Sequence, residues 1–282
     1  MVTNCFKLMR VKHYIKNLLI FAPLIFSGEL FGDEKLFVVL GGSIAFSLLS
    51  SVVYIINDLH DIEKDRKHPT KCNRPLASGS VSRKQAYILA IVLFVLSLIF
   101  HFLLKICWLY YCYLLIYLII NIVYSFGLKD YPIIDIAILS AGFLLRVLYG
   151  GAIVGVDVSN WLLLTVISLS FYLSLGKRRN ELVQQKGNET RKVLAFYNKA
   201  FLDKNMYMFL SLANAFYALW SAGNHEPLMI WTVPIVMLIC LKYSLNVEGD
   251  SEADPVEVLL GDRTLISFCL LYGAVIVCIL YL

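Results

Sequence analysis

Long apolar runs alternate with short polar stretches from one end of the chain to the other. The runs near 15–30, 36–56, 85–104, 107–125, 132–155, 161–176, 206–222, 228–244 and 264–282 come close to the roughly 20 residues that a helix needs to cross a bilayer core. Within each run the apolar residues are continuous, without the alternation of a lipid-facing barrel strand. Only helices and closed barrels satisfy every backbone hydrogen bond in lipid. The pattern therefore predicts an all-α, polytopic membrane protein with nine transmembrane helices, forming a single domain over residues 1–282.

Composition agrees. Of 282 residues, 59% are hydrophobic and 16% charged, whereas a soluble domain carries about a quarter charged residues. With the N-terminus inside, 22 of the 25 Lys and Arg residues fall on inner segments, only Lys35 and Lys105 lie outside, and Arg146 alone is left within a run. This bias predicts the N-terminus inside and the C-terminus outside, and the membrane expected is a bacterial-type plasma membrane. The first run follows four basic residues as a signal peptide would, but no small-residue cleavage site follows it, so it reads as a retained helix containing Pro23. The seven cysteines show no C-x-x-C metal spacing, and five of them sit in apolar segments as small hydrophobes. The expected surroundings are the lipid bilayer and no nucleic acid, and self-association is left open.

The densest charge lies where the second run stops. Asn57 is followed by Asp58, Asp61, Glu63 and Asp65 among Lys64, Arg66, Lys67, Lys71 and Arg74. If the helix continues through this stretch, spacings of 3 and 4 put Asp58, Asp61 and Asp65 on one stripe about 10 Å long. Three carboxylates on one stripe repel each other unless a cation sits among them, and Mg²⁺ suits the set because it takes one or two carboxylates and substrate phosphate oxygens. Pro69 and Pro75 stiffen the loop that follows, while Lys71 and Arg74 offer cations to the far side of a diphosphate. The alternative is an ordinary inner loop whose acids pair with nearby bases. The shared register of the aspartates, with HPTKCNRP running from His68 to Pro75, favours the diphosphate site.

NDLHDIEKD, beginning at Asn57, resembles the first signature, N-D-x-x-D-x-x-x-D, of the UbiA-type intramembrane prenyltransferase superfamily, and the resemblance covers essentially the whole chain. It implies nine transmembrane helices around a central cavity, a site facing the cytoplasm, and Asp58, Asp61 and Asp65 as catalytic Mg²⁺ ligands. Aromatic prenyltransferases of the superfamily carry a second D-x-x-x-D motif after the sixth helix. Here that loop begins GKRRNEL at Gly176, and a literal D-x-x-x-D, Asp250 to Asp254, precedes the ninth helix instead. Lys16 and Asn17 in the first helix, YSFGLK ending at Lys129, GFLLR ending at Arg146, the Lys177–Arg178 segment and DPVEVLLGDR from Asp254 are similar to the polyprenyl-phosphate phosphoribosyltransferase branch. That likeness implies Lys16, Asn17, Asn57, Lys71, Arg74, Lys129, Arg146, Lys177 and Arg178 as substrate-binding residues. Cys72 stands where the branch would place a basic residue, so that contact is either missing or supplied by Lys71 alone.

Members of that branch join a polyprenyl phosphate to phosphoribosyl diphosphate and release diphosphate. Such a donor carries a 5-phosphate besides its diphosphate and needs a second anion site. Lys177, Arg178 and Arg179 at the inner end of the sixth helix suit one, the alternative being charge that merely sets topology. Arg146 lies 11 residues, or about 16 Å, beyond Asp135 along the fifth helix, deep enough to require a cavity, a partner or a salt bridge. Two rivals share much of this pattern: prenylation of an aromatic or quinone precursor from a polyprenyl diphosphate, and transport of anionic or lipid-linked solutes.

Overall fold

The computed structural model describes residues 2–31, 34–68, 70–104, 108–184, 192–249 and 254–282, and among them every regular element is helical. In chain order the α-helices are α1 (Val2–Met9), α2 (Ala22–Phe26), α3 (Lys35–His60), α4 (Ile62–Lys67), α5 (Arg83–Leu103) and α6 (Trp108–Ser125), followed by α7 (Ile134–Val154), α8 (Asn160–Val183), α9 (Lys199–Ala222), α10 (Thr232–Glu248), α11 (Pro255–Gly261) and α12 (Arg263–Tyr281). Between α1 and α2 the backbone forms a 3₁₀ helix, Val11–Phe21, and another 3₁₀ turn, Pro227–Trp231, leads into α10. Among the described residues each of the nine apolar runs is mostly helical. Among the described residues five helical stretches are long and apolar enough to cross a membrane, Lys35–His60, Arg83–Leu103, Ile134–Val154, Pro227–Glu248 and Arg263–Tyr281, and Tyr110–Ser125 is a shorter apolar one.

Local chemistry sets several helix starts. Ser82 and Gln85 form a capping box at α5, each side chain bonding the other's backbone N–H. Ser159, Asn198 and Asp262 accept backbone N–H groups at the starts of α8, α9 and α12.

Helix ends are where the sequence-based expectation is short. α3 runs four residues past the apolar run, and α8 continues through Lys177 to Val183, so the basic triplet stands on a helix and not on a loop. Hydropathy marks where lipid would end, whereas helices end where backbone hydrogen bonds lose their partners, and Lys, Arg and Glu are good helix formers.

The chain divides into two compact units. Unit one holds residues 1–24, 29–131 and 145–156. Its axis is α3, which packs against α1, the first 3₁₀ helix, α5 and α6. One core cluster gathers Ile20, Leu24, Phe46, Leu49, Tyr117 and Tyr149, and a second joins Leu8, Val52, Ile55, Ile62, Leu76 and Ala86. Gly150 permits a close approach here: a Cβ at this position would stand 2.0 Å from the carbonyl oxygen of Ile20.

Unit two holds residues 25–28, 132–144 and 157–282. Its strongest pairing is α8 on α9, and α10 packs against α9 and α12. The core is built from Ile136, Tyr172, Leu175, Leu202, Met206 and Val247.

Candidate active site

The acidic stretch keeps its register through a one-residue break. α3 ends at His60 and α4 starts at Ile62, yet the Asp61 N–H still donates to Asn57 O (3.0 Å) and the Asp65 N–H to Asp61 O (2.8 Å). Asp58, on the last turn of α3, is 3% exposed, and Asp65, on α4, is 5% exposed.

One guanidinium joins these two. Arg74 Nη1 donates to Asp58 Oδ1 at 3.1 Å and to Asp65 Oδ2 at 2.8 Å, which holds the two oxygens no more than about 6 Å apart. The loop that delivers Arg74 is tied down by Arg66 Nε donating to Ala77 O (3.3 Å) and by Ser80 Oγ donating to Pro75 O (3.2 Å). Pro69, expected to stiffen it, lies outside the described residues. Burial pushes the Asp65 carboxyl above the usual carboxylate range, against the pull of Arg74; the Asp58 charge adds to the rise and that of Lys71 opposes it.

Asp61 faces a different cation. Both of its oxygens accept from Lys129 Nζ, at 2.6 and 2.7 Å, and Lys129 is itself buried. The structure therefore brings Asp58 and Asp65 together and commits Asp61 to Lys129. The donor set is all oxygen, two of the carboxylates converge, and burial disfavours the charge on Asp65. These features fit a hard divalent ion that draws its remaining ligands from phosphate and water. Among the described residues no three His, Cys, Asp or Glu side chains stand close enough to hold a metal by themselves.

The other expected residues divide by position. Asn57 and Lys71 lie half-buried beside the carboxylates, Lys71 at the start of the short turn that leads to Arg74. Asn17, buried on the first 3₁₀ helix, accepts from Arg146 Nε at 2.7 Å and donates to Ser47 Oγ at 2.8 Å. Arg146 also donates to the Tyr117 hydroxyl at 3.1 Å, and its guanidinium lies 5.3 and 5.1 Å from the ring centres of Phe46 and Tyr117. Ser47 precedes Asp58 by 11 residues on α3, about 16 Å along the axis. Arg146 and Asn17 therefore belong to a separate cluster deeper in unit one, with half-buried Lys16 beside them in sequence.

In unit two the three residues of the basic triplet turn to three different acids. Arg178 is 0% exposed and donates from Nε to the equally buried Asp135 Oδ2 at 2.5 Å, with a further ion pair to Glu181. Tyr197 completes this cluster: its hydroxyl donates to Asp135 Oδ1 at 2.6 Å and accepts the N–H of Ile133, a β-branched residue held at φ 68. Burial, then the bond to Asp135, keeps the Tyr197 hydroxyl protonated far above its ordinary range. Arg179 turns to Asp203 (2.6 Å) and to Val247 O (3.1 Å). Lys177, half-buried, donates to Asp254 Oδ2 at 3.2 Å. Arg178, expected to contact substrate, turns its fork to Asp135 and Glu181, carboxylates of its own unit. Asp250 lies outside the described residues, and Asp254 caps α11.

Sequence reasoning missed Arg10. Its Nη2 donates to Asp58 Oδ1 at 2.5 Å, its guanidinium rests 5.0 Å from the Tyr54 ring centre, and its backbone is left-handed at φ 54. No spacing signal pointed to it, since it lies 48 residues from Asp58 among other basic residues.

Comparison with known proteins follows the same direction. Residues 18–265 match the UbiA prenyltransferase family. A protein of Corynebacterium glutamicum called decaprenyl-phosphate phosphoribosyltransferase is 32% identical, with 98% of this chain and 86% of that protein aligned. A protein of the same name from Mycolicibacterium smegmatis is also 32% identical, over 94% of this chain and 88% of its own. Among solved structures, a UbiA homolog from Archaeoglobus fulgidus bound to GPP and Mg²⁺ superposes with a TM-score of 0.73 at 20% identity, covering 99% of this chain and 100% of that one.

Proposed function

Because the chain belongs to the UbiA prenyltransferase family, we propose that it transfers the 5-phosphoribosyl group of phosphoribosyl diphosphate to a polyprenyl phosphate, releasing diphosphate. One observation carries this reading: the near full-length match to enzymes named decaprenyl-phosphate phosphoribosyltransferase. The buried carboxylates bridged by Arg74 supply a place for its chemistry.

In this reading residues 1–282 work as one transmembrane domain of nine helices in the plasma membrane, with the N-terminus and the aspartates on the cytoplasmic side. The placement of 22 of 25 Lys and Arg residues on inner segments supports that orientation. Asp58 and Asp65, from the set that includes Asp61, hold Mg²⁺, which when bound neutralises the charge gathering on the departing diphosphate. Arg74 and Lys71 orient the diphosphate oxygens, and Lys129 fixes Asp61 beside them. The acceptor's phosphate oxygen is already anionic, so its attack on ribose C1 needs no strong general base. The C1–O bond to diphosphate breaks through an oxocarbenium-like state as the new C1–O bond forms. The chain's part is therefore proximity and electrostatics.

Prenylation of an aromatic ring is the weaker reading. The archaeal structures share the fold at 20% identity, and residues 177–184 offer one acid, Glu181, which Arg178 holds. Incubating the purified protein with labelled phosphoribosyl diphosphate and polyprenyl phosphate should give a phosphoribosylated lipid detectable by mass spectrometry. Asp58→Asn should lower its formation by about 100-fold or more. Turnover that survives the substitution, or label transfer that requires an aromatic acceptor, would count against the proposal.

A further inference from the structure

The aspartate stripe extends one turn further back along α3. Tyr54 precedes Asp58 by four residues, and at about 100° per residue positions 54, 58, 61 and 65 fall within one stripe roughly 60° wide. On either side of Tyr54 in the chain, Val53 and Ile55 are buried in the two apolar clusters of unit one, while Tyr54 itself is half-buried. Its ring is gripped by the segment after α1. The Arg10 guanidinium, which also bonds Asp58, rests 5.0 Å from the ring centre, and the His13 ring stands 5.5 Å away at 58°. That segment is fastened to α3 in turn, because Ser51 Oγ donates to Met9 O at 2.9 Å and lies 2.8 Å from the Tyr14 hydroxyl.

The Tyr54 ring is thus held on both sides, yet among the described residues its hydroxyl makes no hydrogen bond. A buried tyrosine usually gives its hydroxyl a partner, as Tyr14 does with Ser51 and Tyr117 with Arg146. Resting on the phosphoribosyl-transfer reading, we infer that the partner of the Tyr54 hydroxyl is a phosphate oxygen of the polyprenyl phosphate, and that Tyr54 seats the acceptor's head for attack.

Spacing along α3 fits that task. Tyr54 lies about 6 Å from Asp58 along the axis, on the side of the apolar middle of the span Lys35–His60. The acceptor's tail lies in lipid, so its phosphate approaches from that side, while the diphosphate sits at the carboxylates. An attacking oxygen waits about 3–3.5 Å from ribose C1, opposite the departing oxygen, so the two phosphate heads stand on the order of 5 Å apart. One helical turn covers that distance. The Tyr54 hydroxyl donates to an oxygen that does not attack, and it keeps its proton. The attacking oxygen forms the bond to C1, and the electrons of the broken C1–O bond leave with diphosphate.

Tyr54→Phe keeps the ring with its contacts to Arg10 and His13 and deletes only the hydroxyl. Its kcat/KM for polyprenyl phosphate should fall about 10-fold, the scale of one hydrogen bond to a charged group, with Tm and KM for phosphoribosyl diphosphate unchanged. Tyr14→Phe, which deletes a hydroxyl already spent on Ser51, sets the baseline for a structural role. Farnesyl phosphate binding, followed by isothermal titration calorimetry, reads the same contact apart from turnover and should weaken by a similar factor in Tyr54→Phe alone. If wild type makes the phosphoribosylated lipid while Tyr54→Phe matches Tyr14→Phe in both measurements, the Tyr54 inference falls and the phosphoribosyl reading stands. A loss in Tyr54→Phe confined to KM for phosphoribosyl diphosphate would also overturn it. Wild-type protein that makes no phosphoribosylated lipid would overturn that reading and the inference together.

Discussion

Removing the Arg178 side chain tests whether this residue serves the fold or the substrate. Arg178→Met deletes a cation that is fully buried and bonded to two acids, Asp135, also fully buried, and Glu181, whose side chain is 23% exposed. Asp135 would keep its bond from Tyr197 but lose the charge that offsets its burial. Breaking a buried pair by removing one partner costs about 3–5 kcal/mol, which for a chain of this length is a fall of roughly 10 °C in Tm. Asp135→Asn should cost less, about 1–3 kcal/mol, because the amide still receives the Tyr197 bond and Arg178 keeps Glu181. The double variant should be clearly less damaged than the sum of the singles, since no uncompensated charge remains at position 135. Thermal unfolding of the four proteins in one detergent gives the cycle, with KM for phosphoribosyl diphosphate measured in parallel. If Arg178→Met melts with wild type while its KM rises tenfold, Arg178 is a ligand contact and the structural assignment is wrong.

Three further outcomes follow from the same contacts. Gly150→Ala should destabilise unit one by about 2 kcal/mol or more despite the better helix propensity of alanine, because its Cβ would meet backbone at Ile20, whereas Gly42→Ala meets the movable Ile153 side-chain end and should be milder; equal melting temperatures would refute this. Lys129→Met should cost about 2 kcal/mol by stripping Asp61 of two charged hydrogen bonds, and Lys129→Arg should restore part of it in a denaturant titration; no loss in the Met variant would show that the pair is idle. The Asp262 carboxyl is held down to about 2, first by the bond from Lys242 and then by the Leu265 N–H. A depressed carboxyl stabilises the fold above its unfolded value near 4 and loses that contribution as pH falls through about 2. The stability difference between wild type and Asp262→Asn should therefore be constant from pH 7 to about 4 and vanish towards about 2; a difference that shrinks already at pH 6 would contradict it.

Much of the candidate site was legible from one dimension. The 3 and 4 spacings of Asp58, Asp61 and Asp65 survive in the backbone bonds that run through Asp61, because helical register is a local property. Arg74 was equally visible, being 9 residues from Asp65 along a short loop. Charge alone did not show that Arg10 crosses 48 residues to reach Asp58, or that Arg146 crosses 129 to reach Asn17. Nor did a row of three basic residues reveal that Lys177, Arg178 and Arg179 turn to Asp254, Asp135 and Asp203 respectively. Consecutive positions on a helix point about 100° apart, so neighbours in sequence face different surroundings.

By itself the amino-acid order determined the all-helical class, the membrane character, the family and the register of the aspartates. The class and membrane character follow from hydropathy, the register from spacings within a few turns of one helix, and the family from the resemblance of its motifs. Tertiary structure alone decided which cation meets which carboxylate, and with it which charges are spent inside the fold and which remain for a ligand. Pairing depends on where separate helices bring their side chains together, and a buried charge is settled by the partner within a few ångströms, however far away that partner lies along the chain.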